Sequence, residues 1–514
     1  MAEPGLPGSD RDDYCVQAGA LVPDLLTCGS RRFPDKAAVD AGGDVLTFAE
    51  LSHRASLFAG SLKMLGITQG RRVALLAMND REYLEVRVGS QRAGAILVPL
   101  NYRLAVTDLE AMVADAEIDL LLIGRGLEDL GQSLTAPHVL RLGDGSYEQA
   151  IAAAEALPAE VGYAPEAICE ICYTSGTTAR PKGVMLSNRA VHASIVAMGH
   201  EIGASSNAVF LACTPMFHVA SQVGSSCTFL GGTQVQLDRF DVAGFMTALD
   251  RTRATHTQIV PTMLQMLIDA WGDRPPPSLR RILYGAAPMP PALLTRLQDA
   301  WDCEFVNGYG STEAMGISFL TPEEHRRVRR LSVGRSSTVT ASRIVDEHGR
   351  GVADGEVGEV LARGPTLMSG YWRNPDATRE ALVNGWLRTG DLAYRDGDGY
   401  LHLVDRRNDK IITGGENVFP SEVEHAILSH PEIAEAAVVG VPDPKWGEAV
   451  VAVVVPVEGS LADRDELKVH CRANLAPYKV PKEIRISCDP LPRTATGKLL
   501  RRQVRSAWSA EREE

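Results

Sequence analysis

Apolar stretches alternate with amphipathic ones from about residue 30 to residue 240, and this alternation restricts the fold more than any other feature of the chain. Residues 72–78 have the character of a buried strand, residues 81–91 that of a helix, and residues 95–100 that of a second strand. Strands and helices that follow one another in this way form βα units and parallel, doubly wound sheets. A similar stretch at residues 208–212 predicts a second sheet of the same kind.

The composition of the chain changes after about residue 330. From there, short predicted strands alternate with Gly- and Asp-rich turns, which indicates a small β-rich subdomain. Residues 405–514 make a unit of ordinary small-domain size, with predicted strands at residues 436–441 and 449–455. We therefore predict an α/β fold with a large N-terminal domain at residues 1–404, which contains the doubly wound sheets and the β-rich subdomain. A small, mobile α+β domain is expected at residues 405–514.

Charge, cysteine content and hydropathy exclude several classes of protein. The 514 residues carry a formal charge of −13, so no excess of basic charge is available for a general nucleic-acid binder. Nine scattered cysteines and the absence of a secretory signal predict a cytoplasmic protein. Cys169 and Cys172 have no second pair at zinc spacing and are interpreted as core residues.

No apolar stretch reaches the roughly 18 residues of a membrane span, while peripheral membrane contact and a homodimer stay open. The polar residues 507–514 predict a loose C-terminus.

Residues 173–183 read Tyr-Thr-Ser-Gly-Thr-Thr-Ala-Arg-Pro-Lys-Gly and follow a β-prone stretch at residues 167–173. Backbone N–H groups and hydroxyl groups in such a loop can surround an anion, while Lys182 supplies a positive charge. The loop is expected to leave the end of a strand, where α/β sheets bind ligands. It is not a Walker A loop, because Lys182 is followed by Gly183 rather than by Ser or Thr. A Ser/Thr/Gly-rich surface turn is the alternative that the loop alone leaves open.

Three further motifs stand downstream of this loop. They are Gly-Tyr-Gly-Ser-Thr-Glu at residues 308–313, Thr-Gly-Asp at residues 389–391 and Pro-Arg-Thr-Ala-Thr-Gly-Lys at residues 492–498. Each by itself would be interpreted as a turn or a solvated surface segment. Together with residues 173–183, they resemble the adenylate-forming superfamily of acyl-CoA synthetases, carrier-protein adenylation domains and luciferases. The resemblance extends over almost the whole chain and departs from the family pattern at Ala179, where the family has glycine.

The resemblance implies a binding role for each motif. It places Tyr309 against adenine, Thr312 at the α-phosphate and Glu313 on Mg²⁺. It also implies that Asp391 and Arg406 bind the ribose. The residues that it assigns to ATP, Mg²⁺ or CoA are Thr174, Ser175, Gly176, Thr177, Thr178, Lys182, Gly285, Ala286, Ala287, Pro288, Asn307, Gly308, Tyr309, Gly310, Ser311, Thr312, Glu313, Asp391, Arg406, Gly414, Gly415, Glu416 and Lys498.

The resemblance also implies the catalytic residues. Lys498 would swing into the cleft and neutralise charge at the attacked α-phosphate. His218 by itself would be interpreted as a core or loop histidine, but the resemblance places it beside the acyl carboxylate, where we expect a positioning role. The small domain is expected to rotate about Asn408, where the family usually has Lys or Asp. The implied catalytic residues are Lys498, Thr174, Lys182, Glu313 and His218.

Taken together, these implied roles describe an ATP-dependent ligase that acts on a hydrophobic carboxylic acid. The acid and ATP would give an acyl-adenylate and pyrophosphate, and CoA would then displace AMP to form a thioester. Gly414, Gly415 and Glu416 would serve the second step, after the small domain has moved. One alternative is an enzyme that only adenylates and passes acyl-AMP to a partner enzyme or carrier protein. A luciferase-like oxygenase and a nonenzymatic nucleotide-binding module are two more, and neither is supported by a residue of this chain.

Overall fold

The computed structural model describes residues 21–159, 163–174, 181–218, 221–272, 276, 278–287, 289–327, 332–407, 409–457, 459–460, 462–493 and 499–510. Its internal contacts divide the chain into two compact units. Unit 1 comprises Met1–Arg330, Ser336–Ser342 and Ala362–Leu387, and unit 2 comprises Leu331–Arg335, Arg343–Leu361 and Arg388–Glu514. The domain boundary expected at residues 404/405 falls within unit 2 and stays a prediction.

The helices of the described residues are α1 (Val22–Arg32), α2 (Phe48–Met64), α3 (Tyr83–Arg92), α4 (Val106–Ala116), α5 (Glu128–Gln132), α6 (Ser146–Ala152), α7 (Asn188–Glu201), α8 (Ser221–Phe229), α9 (Val242–Thr252), α10 (Pro261–Trp271), α11 (Pro291–Ala300), α12 (Pro322–Arg327), α13 (Pro375–Ala381), α14 (Pro420–Leu428), α15 (Arg464–Asn474) and α16 (Arg501–Ala510).

The strands of the same residues are β1 (Ala37–Ala41), β2 (Asp44–Thr47), β3 (Arg72–Leu76), β4 (Ile96–Pro99), β5 (Leu120–Ile123), β6 (His138–Arg141), β7 (Ile168–Thr174), β8 (Lys182–Ser187), β9 (Val209–Ala212), β10 (Thr233–Gln236), β11 (His256–Ile259), β12 (Arg281–Gly285), β13 (Glu304–Ser311), β14 (Met315–Leu320), β15 (Arg335–Ser336), β16 (Ala341–Val345), β17 (Gly358–Arg363), β18 (Gly370–Tyr371), β19 (Leu382–Val383), β20 (Trp386–Arg395), β21 (Leu401–Arg406), β22 (Ile411–Thr413), β23 (Glu416–Val418), β24 (Ile433–Asp443), β25 (Gly447–Pro456) and β26 (Glu483–Ile486).

Unit 1 contains a seven-stranded sheet with the strand order β18-β8-β7-β4-β3-β5-β6. The strands from β7 to β6 are parallel to their neighbours, while β8 and β18 are antiparallel additions at one side. The strands predicted at residues 72–78 and 95–100 are β3 and β4, and the helix predicted between them is α3. β3 is buried from Val73 to Leu76, as expected of a parallel strand that is covered on both faces.

The second sheet has nine strands in the order β15-β14-β13-β12-β11-β9-β10-β1-β2. Neighbouring strands from β13 to β1 are parallel, and β14 and β2 run antiparallel to the strands beside them. The strand predicted at residues 208–212 is β9. Two largely parallel sheets, interleaved with helices along the chain, confirm the predicted α/β fold.

Strands β24 and β25 form a long antiparallel hairpin in unit 2 and contain the two strands predicted there. Their side chains alternate between two cores, because successive residues of a strand point to opposite faces. Val438 and Val450 join a core with residues of α14 and α15, whereas Val439 and Val451 join a core with Trp508 of α16. Trp508 is only 1% exposed, so the prediction of a loose C-terminus is wrong at this residue.

The structure bears on two expectations about residue environment, one for the paired cysteines and one for membrane-spanning helices. Cys169 and Cys172 are buried in β7, which confirms that they belong to the core. Within the part of the chain that the structure describes, no helix has the length and apolar character needed to cross a membrane.

Candidate active site

The predicted anion-binding loop connects β7 to β8, whose last register pair is Thr174 and Lys182. β7 is parallel to β4, so the loop begins at the carboxyl edge of the seven-stranded sheet, where ligands of α/β proteins bind. Thr174 and Lys182 therefore both lie at this edge, with Thr174 Oγ1 3.5 Å from the Lys182 carbonyl oxygen. The other predicted loop residues lie outside the described residues; they are Ser175, Gly176, Thr177, Thr178 and Ala179.

Glu313 lies close to Lys182, and Tyr371 lies between them. The Tyr371 hydroxyl donates a hydrogen bond of 3.0 Å to Glu313 Oε1. The Lys182 ammonium lies 5.1 Å from the centroid of the same tyrosine ring, within the range of a cation–π contact. Burial, and then the Glu313 charge, raise the pKa of Tyr371 above its usual range, so the phenol stays protonated and acts as a donor. The structure thus brings a predicted phosphate-binding lysine and a predicted metal ligand together around one tyrosine.

The Gly-Tyr-Gly-Ser-Thr-Glu motif occupies the end of β13 and the turn that leads to β14. Asn307, Gly308, Tyr309, Gly310 and Ser311 are strand residues, whereas Thr312 lies in the turn. A Cβ atom on Gly310 would lie 1.6 Å from the Met315 carbonyl oxygen, so the tight return to β14 requires glycine. Tyr309 is 7% exposed, and its predicted contact with adenine stays a prediction.

The segment that begins at Gly285 ends β12 beside this motif. Gly285 pairs with Gly308 in parallel register, and a Cβ atom on Gly285 would lie 2.3 Å from the Gly308 carbonyl oxygen. Ala286 has a left-handed φ of 64°, which costs energy for a residue with a Cβ atom and often accompanies a functional turn. Ala287 follows in the same bend, while Pro288 lies outside the described residues.

His218 stands on a segment that is anchored by the side chains of Asn79, which follows β3, and Tyr83, which begins α3. The Asn79 amide accepts a 2.9 Å hydrogen bond from Met216 N and donates one of 3.0 Å to the Thr214 carbonyl oxygen. The Tyr83 hydroxyl donates a 2.8 Å hydrogen bond to the Met216 carbonyl oxygen. Because Asn79 and Tyr83 bond to the backbone of this segment, they fix its position without contacting its side chains through hydrogen bonds.

The imidazole of His218 is neutral at neutral pH. Burial, assisted by the charge of Arg103, lowers the pKa of His218 to about 4. Its ring lies 4.4 Å from the Phe217 ring, which in turn makes an edge contact with Tyr102 at 5.2 Å. Nε2 is buried and has no hydrogen-bond partner among the described residues. A neutral ring in this aromatic setting fits a positioning role better than proton transfer, but that role stays a prediction.

A second charged cluster lies deeper in unit 1. The buried Arg87 donates from Nε to Glu170 Oε1 at 2.6 Å and from Nη1 to Ser225 Oγ at 3.0 Å. Gln91 donates to the same Glu170 oxygen at 3.1 Å. Arg87, Glu170 and His218 line a cavity of about 10 Å³, which is about the space of one water molecule.

In unit 2, the predicted ribose-binding residues lie opposite each other on neighbouring strands. Asp391 on β20 and Arg406 on β21 form a cross-strand pair, with Arg406 Nε 3.3 Å from Asp391 Oδ1. Asp391 N donates to Thr389 Oγ1 at 3.1 Å, and the Thr389 hydroxyl donates to the Val360 carbonyl oxygen at 2.8 Å. The structure therefore brings the two residues together, while their contact with ribose stays a prediction.

Gly414 and Gly415 form the turn between β22 and β23, both with positive φ, and Glu416 opens β23. Gly414 N donates a 2.7 Å hydrogen bond to the Trp446 carbonyl oxygen. A Cβ atom on Gly414 would lie 2.9 Å from the Trp446 indole ring, so the turn can pack on this ring only with glycine. The remaining predicted residues of this part of the chain, Asn408 and Lys498, lie outside the described residues.

The donor set at Glu313 suits a magnesium ion that takes most of its ligands from a nucleotide. Among the described residues, no group of three or more His, Cys, Asp or Glu side chains could hold a metal ion. Mg²⁺ commonly binds through one or two carboxylates together with substrate phosphates and water. The single carboxylate of Glu313, beside a lysine that is predicted to bind phosphate, fits this pattern.

Sequence reasoning missed three residues that shape the site, namely Tyr371, Asn79 and Tyr83. Asn79 follows β3, and a polar residue just beyond the carboxyl end of a predicted strand was a usable signal. Tyr371 had no such signal, because it follows Glu313 by 58 residues and reaches the site only through the pairing of β18 with β8.

Comparison with known protein families gives two matches, which together cover most of the chain. Residues 28–372 match the family described as AMP-binding enzyme, and residues 422–498 match the AMP-binding enzyme C-terminal domain.

Three similar proteins indicate the chemistry of the group. A feruloyl-CoA synthase from Amycolatopsis sp. is 40% identical over 481 residues, which cover 93% of this chain and 96% of that protein. An indoleacetate–CoA ligase from Aromatoleum aromaticum is 35% identical, and the alignment covers 92% of this chain and 95% of that protein. The solved structure of the amide bond synthetase McbA from Marinactinospora thermotolerans is 34% identical, with a TM-score of 0.87 over 95% of this chain and 99% of that one.

Proposed function

The chain belongs to the AMP-binding enzyme family, and we propose that the acid it activates is aromatic. The reaction itself is that of an ATP-dependent acid–CoA ligase, as in the CoA ligases to which the chain is similar over more than nine-tenths of its length. The acid attacks the α-phosphate of ATP to give an acyl-adenylate and pyrophosphate, and CoA then displaces AMP to give a thioester. The alternative of an enzyme that only adenylates is not favoured by these relatives.

The observation that carries the aromatic substrate is the 40% identity to a feruloyl-CoA synthase along 93% of the chain. The acids named for this relative and for the indoleacetate–CoA ligase both contain an aromatic ring. The rings of Tyr102, Phe217 and His218 pack against one another at the segment to which the resemblance assigns the acyl group. Such flat apolar surfaces suit a ring through stacked or edge contacts.

For adenylation, we propose that Lys182, with Thr174 and the loop that follows it, binds the β- and γ-phosphates. Glu313 would hold Mg²⁺, which when bound supplies positive charge to the phosphates during transfer. Asp391 and Arg406 would hold the ribose, since a carboxylate can accept hydrogen bonds from both hydroxyl groups. Lys498 would supply the second cation at the α-phosphate. His218 would orient the acyl carboxylate.

For thioester formation, the surface beside Gly414 suits the nucleotide part of CoA. Trp446 is 39% exposed, and the ammonium groups of Lys445 and Lys482 lie 4.8 Å and 5.2 Å from its ring centroid. A flat ring flanked by two cations can stack on a base and attract phosphates. This supports the proposal that the turn at Gly414, Gly415 and Glu416 serves the second step.

The remaining sequence predictions keep the status of proposals. We propose a boundary at residues 404/405 with a hinge near Asn408, a cytoplasmic location and a homodimer. Size-exclusion chromatography with light scattering tests the dimer, and a monomeric mass would contradict it.

A panel of acids tests the function and its substrate class. Ferulate, indoleacetate, benzoate and a series of fatty acids are assayed for pyrophosphate release with and without CoA, and the products are identified by mass spectrometry. We expect acyl-CoA and AMP, with kcat/KM for the best aromatic acid at least about 10-fold above that of any fatty acid, the order of discrimination of an apolar pocket. Preference for a fatty acid would overturn the substrate class. Turnover with amines but none with CoA would overturn the assignment of the acceptor.

A further inference from the structure

Tyr371 contacts both charged groups of the predicted phosphate site, which are the Glu313 carboxylate and the Lys182 ammonium. Its hydroxyl reaches Glu313 at 3.0 Å, and its ring lies 5.1 Å from the Lys182 ammonium. No other described residue contacts both groups in this way. The ring is half-buried, so part of it is accessible.

The backbone around Tyr371 is held at several places. Ser369 N and Trp372 N donate hydrogen bonds to the Met185 and Gly183 carbonyl oxygens of β8, at 2.9 Å and 2.7 Å. Met368 N donates to the Glu313 carbonyl oxygen at 2.8 Å. The strand that contains Lys182 and the turn that contains Glu313 are therefore both tied to the segment that contains Tyr371.

Side-chain contacts complete this fixation. Tyr371 N donates to the Thr378 hydroxyl at 2.9 Å, and the indole of Trp372 donates to the Asp115 carbonyl oxygen at 3.1 Å. Gly370 has a φ of 146°, and a Cβ atom there would lie 2.8 Å from the Thr378 methyl group. Because the backbone on both sides is fixed, the direction of the Tyr371 side chain is set by the fold.

We propose that Tyr371 is a positioning residue for adenylation, which orients the Glu313 carboxylate through its hydroxyl and the Lys182 ammonium through its ring. The inference rests on the proposed roles of Glu313 and Lys182. Mg²⁺ requires a nearly ideal octahedral arrangement, so a carboxylate ligand that is held in one rotamer binds it better than a free one. Residues that orient a metal ligand in this way typically change metal affinity or activity 10- to 100-fold when they are replaced.

Two substitutions distinguish the role of the Tyr371 hydroxyl from the role of its ring. Tyr371→Phe removes the hydrogen bond to Glu313 and keeps the ring, whereas Tyr371→Leu removes both contacts. ATP binding is measured by calorimetry without acid, so that no turnover occurs, first over a range of Mg²⁺ concentrations and then in EDTA. ATP binds more tightly as Mg²⁺ is added, and the Mg²⁺ concentration at the midpoint of this increase should be about 10-fold higher for Tyr371→Phe than for the wild type. The affinity of Tyr371→Phe for ATP in EDTA should be unchanged. Tyr371→Leu should also weaken binding in EDTA, since Lys182 loses its contact.

Tyr147→Phe is the matched control. The Tyr147 hydroxyl also donates to a carboxylate, Glu85, at 2.8 Å, but this pair is buried away from the phosphate site. Its removal should leave the Mg²⁺ dependence unchanged. The same Mg²⁺ dependence for Tyr371→Phe and the wild type would overturn the inference, provided that Glu313→Gln does alter it. If Glu313→Gln leaves it unchanged as well, the proposed role of Glu313 itself is wrong.

Discussion

The cluster of Arg87 with Glu170 and the cluster of Lys182 with Glu313, both in unit 1, differ in where the chain places them. Arg87 and Glu170 are 2% and 3% exposed and lie on α3 and β7. Glu313, Tyr371 and Lys182 are half-buried, and they come from the ends or the connections of strands in the two sheets of unit 1. The first cluster is sealed in the fold, and the second can be reached by a ligand.

The sealed cluster has more unsatisfied polar atoms than the accessible one. Arg87 Nη2 and Gln91 Oε1 are buried and lack a hydrogen-bond partner within the described part of the chain, as does Nε2 of the neighbouring His218. One water molecule in the small cavity beside them would satisfy some of these atoms. Unsatisfied burial therefore does not point to the proposed phosphate site in this protein, whereas position at the carboxyl edge of a sheet does.

The largest effect is expected from breaking the sealed pair. Arg87→Met leaves the Glu170 carboxylate buried without its cation, and removal of one partner of a buried ion pair typically costs about 3–5 kcal/mol. We expect a loss of this size in the free energy of unfolding of unit 1, measured by urea denaturation. A loss below about 1 kcal/mol would show that the cluster is hydrated and would weaken the contrast with the phosphate site.

The double variant Arg87→Met/Glu170→Met is the control for this experiment. Replacing both ions by apolar side chains of similar volume is often neutral. The double variant should therefore unfold within about 2 kcal/mol of the wild type, and a loss equal to that of the single variant would attribute the cost to packing rather than to charge.

The second prediction concerns activity rather than stability. Glu313→Gln removes the negative charge that is proposed to hold Mg²⁺ and keeps the shape of the side chain. We expect kcat/KM for pyrophosphate release to fall about 100-fold or more, as for residues that stabilise a transition state. The free energy of unfolding should change by less than about 1 kcal/mol, because the side chain is half-buried and accessible. Equal losses of stability and activity would contradict the distinction between the two clusters.

The sequence was sufficient for the fold, and local motifs in it supplied the proposed site residues. The periodicity of residues 72–100 predicts β3, α3 and β4, because a strand that is covered on both faces must be apolar throughout. Glu313 and Lys182 were found because each belongs to a motif with a recognisable order. Burial of Trp508 was missed because a mostly polar helix can still bury one large side chain.

Long-range contacts account for what the sequence could not predict. The bond from Tyr371 to Glu313 depends on the position of a two-residue strand beside β8, and no local pattern indicates that pairing. The ion pair of Arg87 with Glu170 is similar, because an arginine within a predicted amphipathic helix is usually expected on its solvated face. Both contacts join residues far apart in the chain, and only tertiary packing brings them together.

The smallest expected effect tests the surroundings of His218, which lines the small cavity beside the sealed pair and is also proposed to orient the acyl carboxylate. Its folded pKa of about 4 lies below the ordinary value of 6.5, so between these pH values the unfolded chain binds a proton that the folded chain does not. Its contribution to stability is therefore complete above about pH 6.5 and is lost as the pH falls towards 4. From pH 7.5 to pH 6 this one residue should cost about 1 kcal/mol. The His218→Phe variant should lose correspondingly less stability than the wild type over that range. Identical pH dependence of urea denaturation in the two proteins would show that water reaches the imidazole, and His218 would then count as an accessible residue rather than a sealed one.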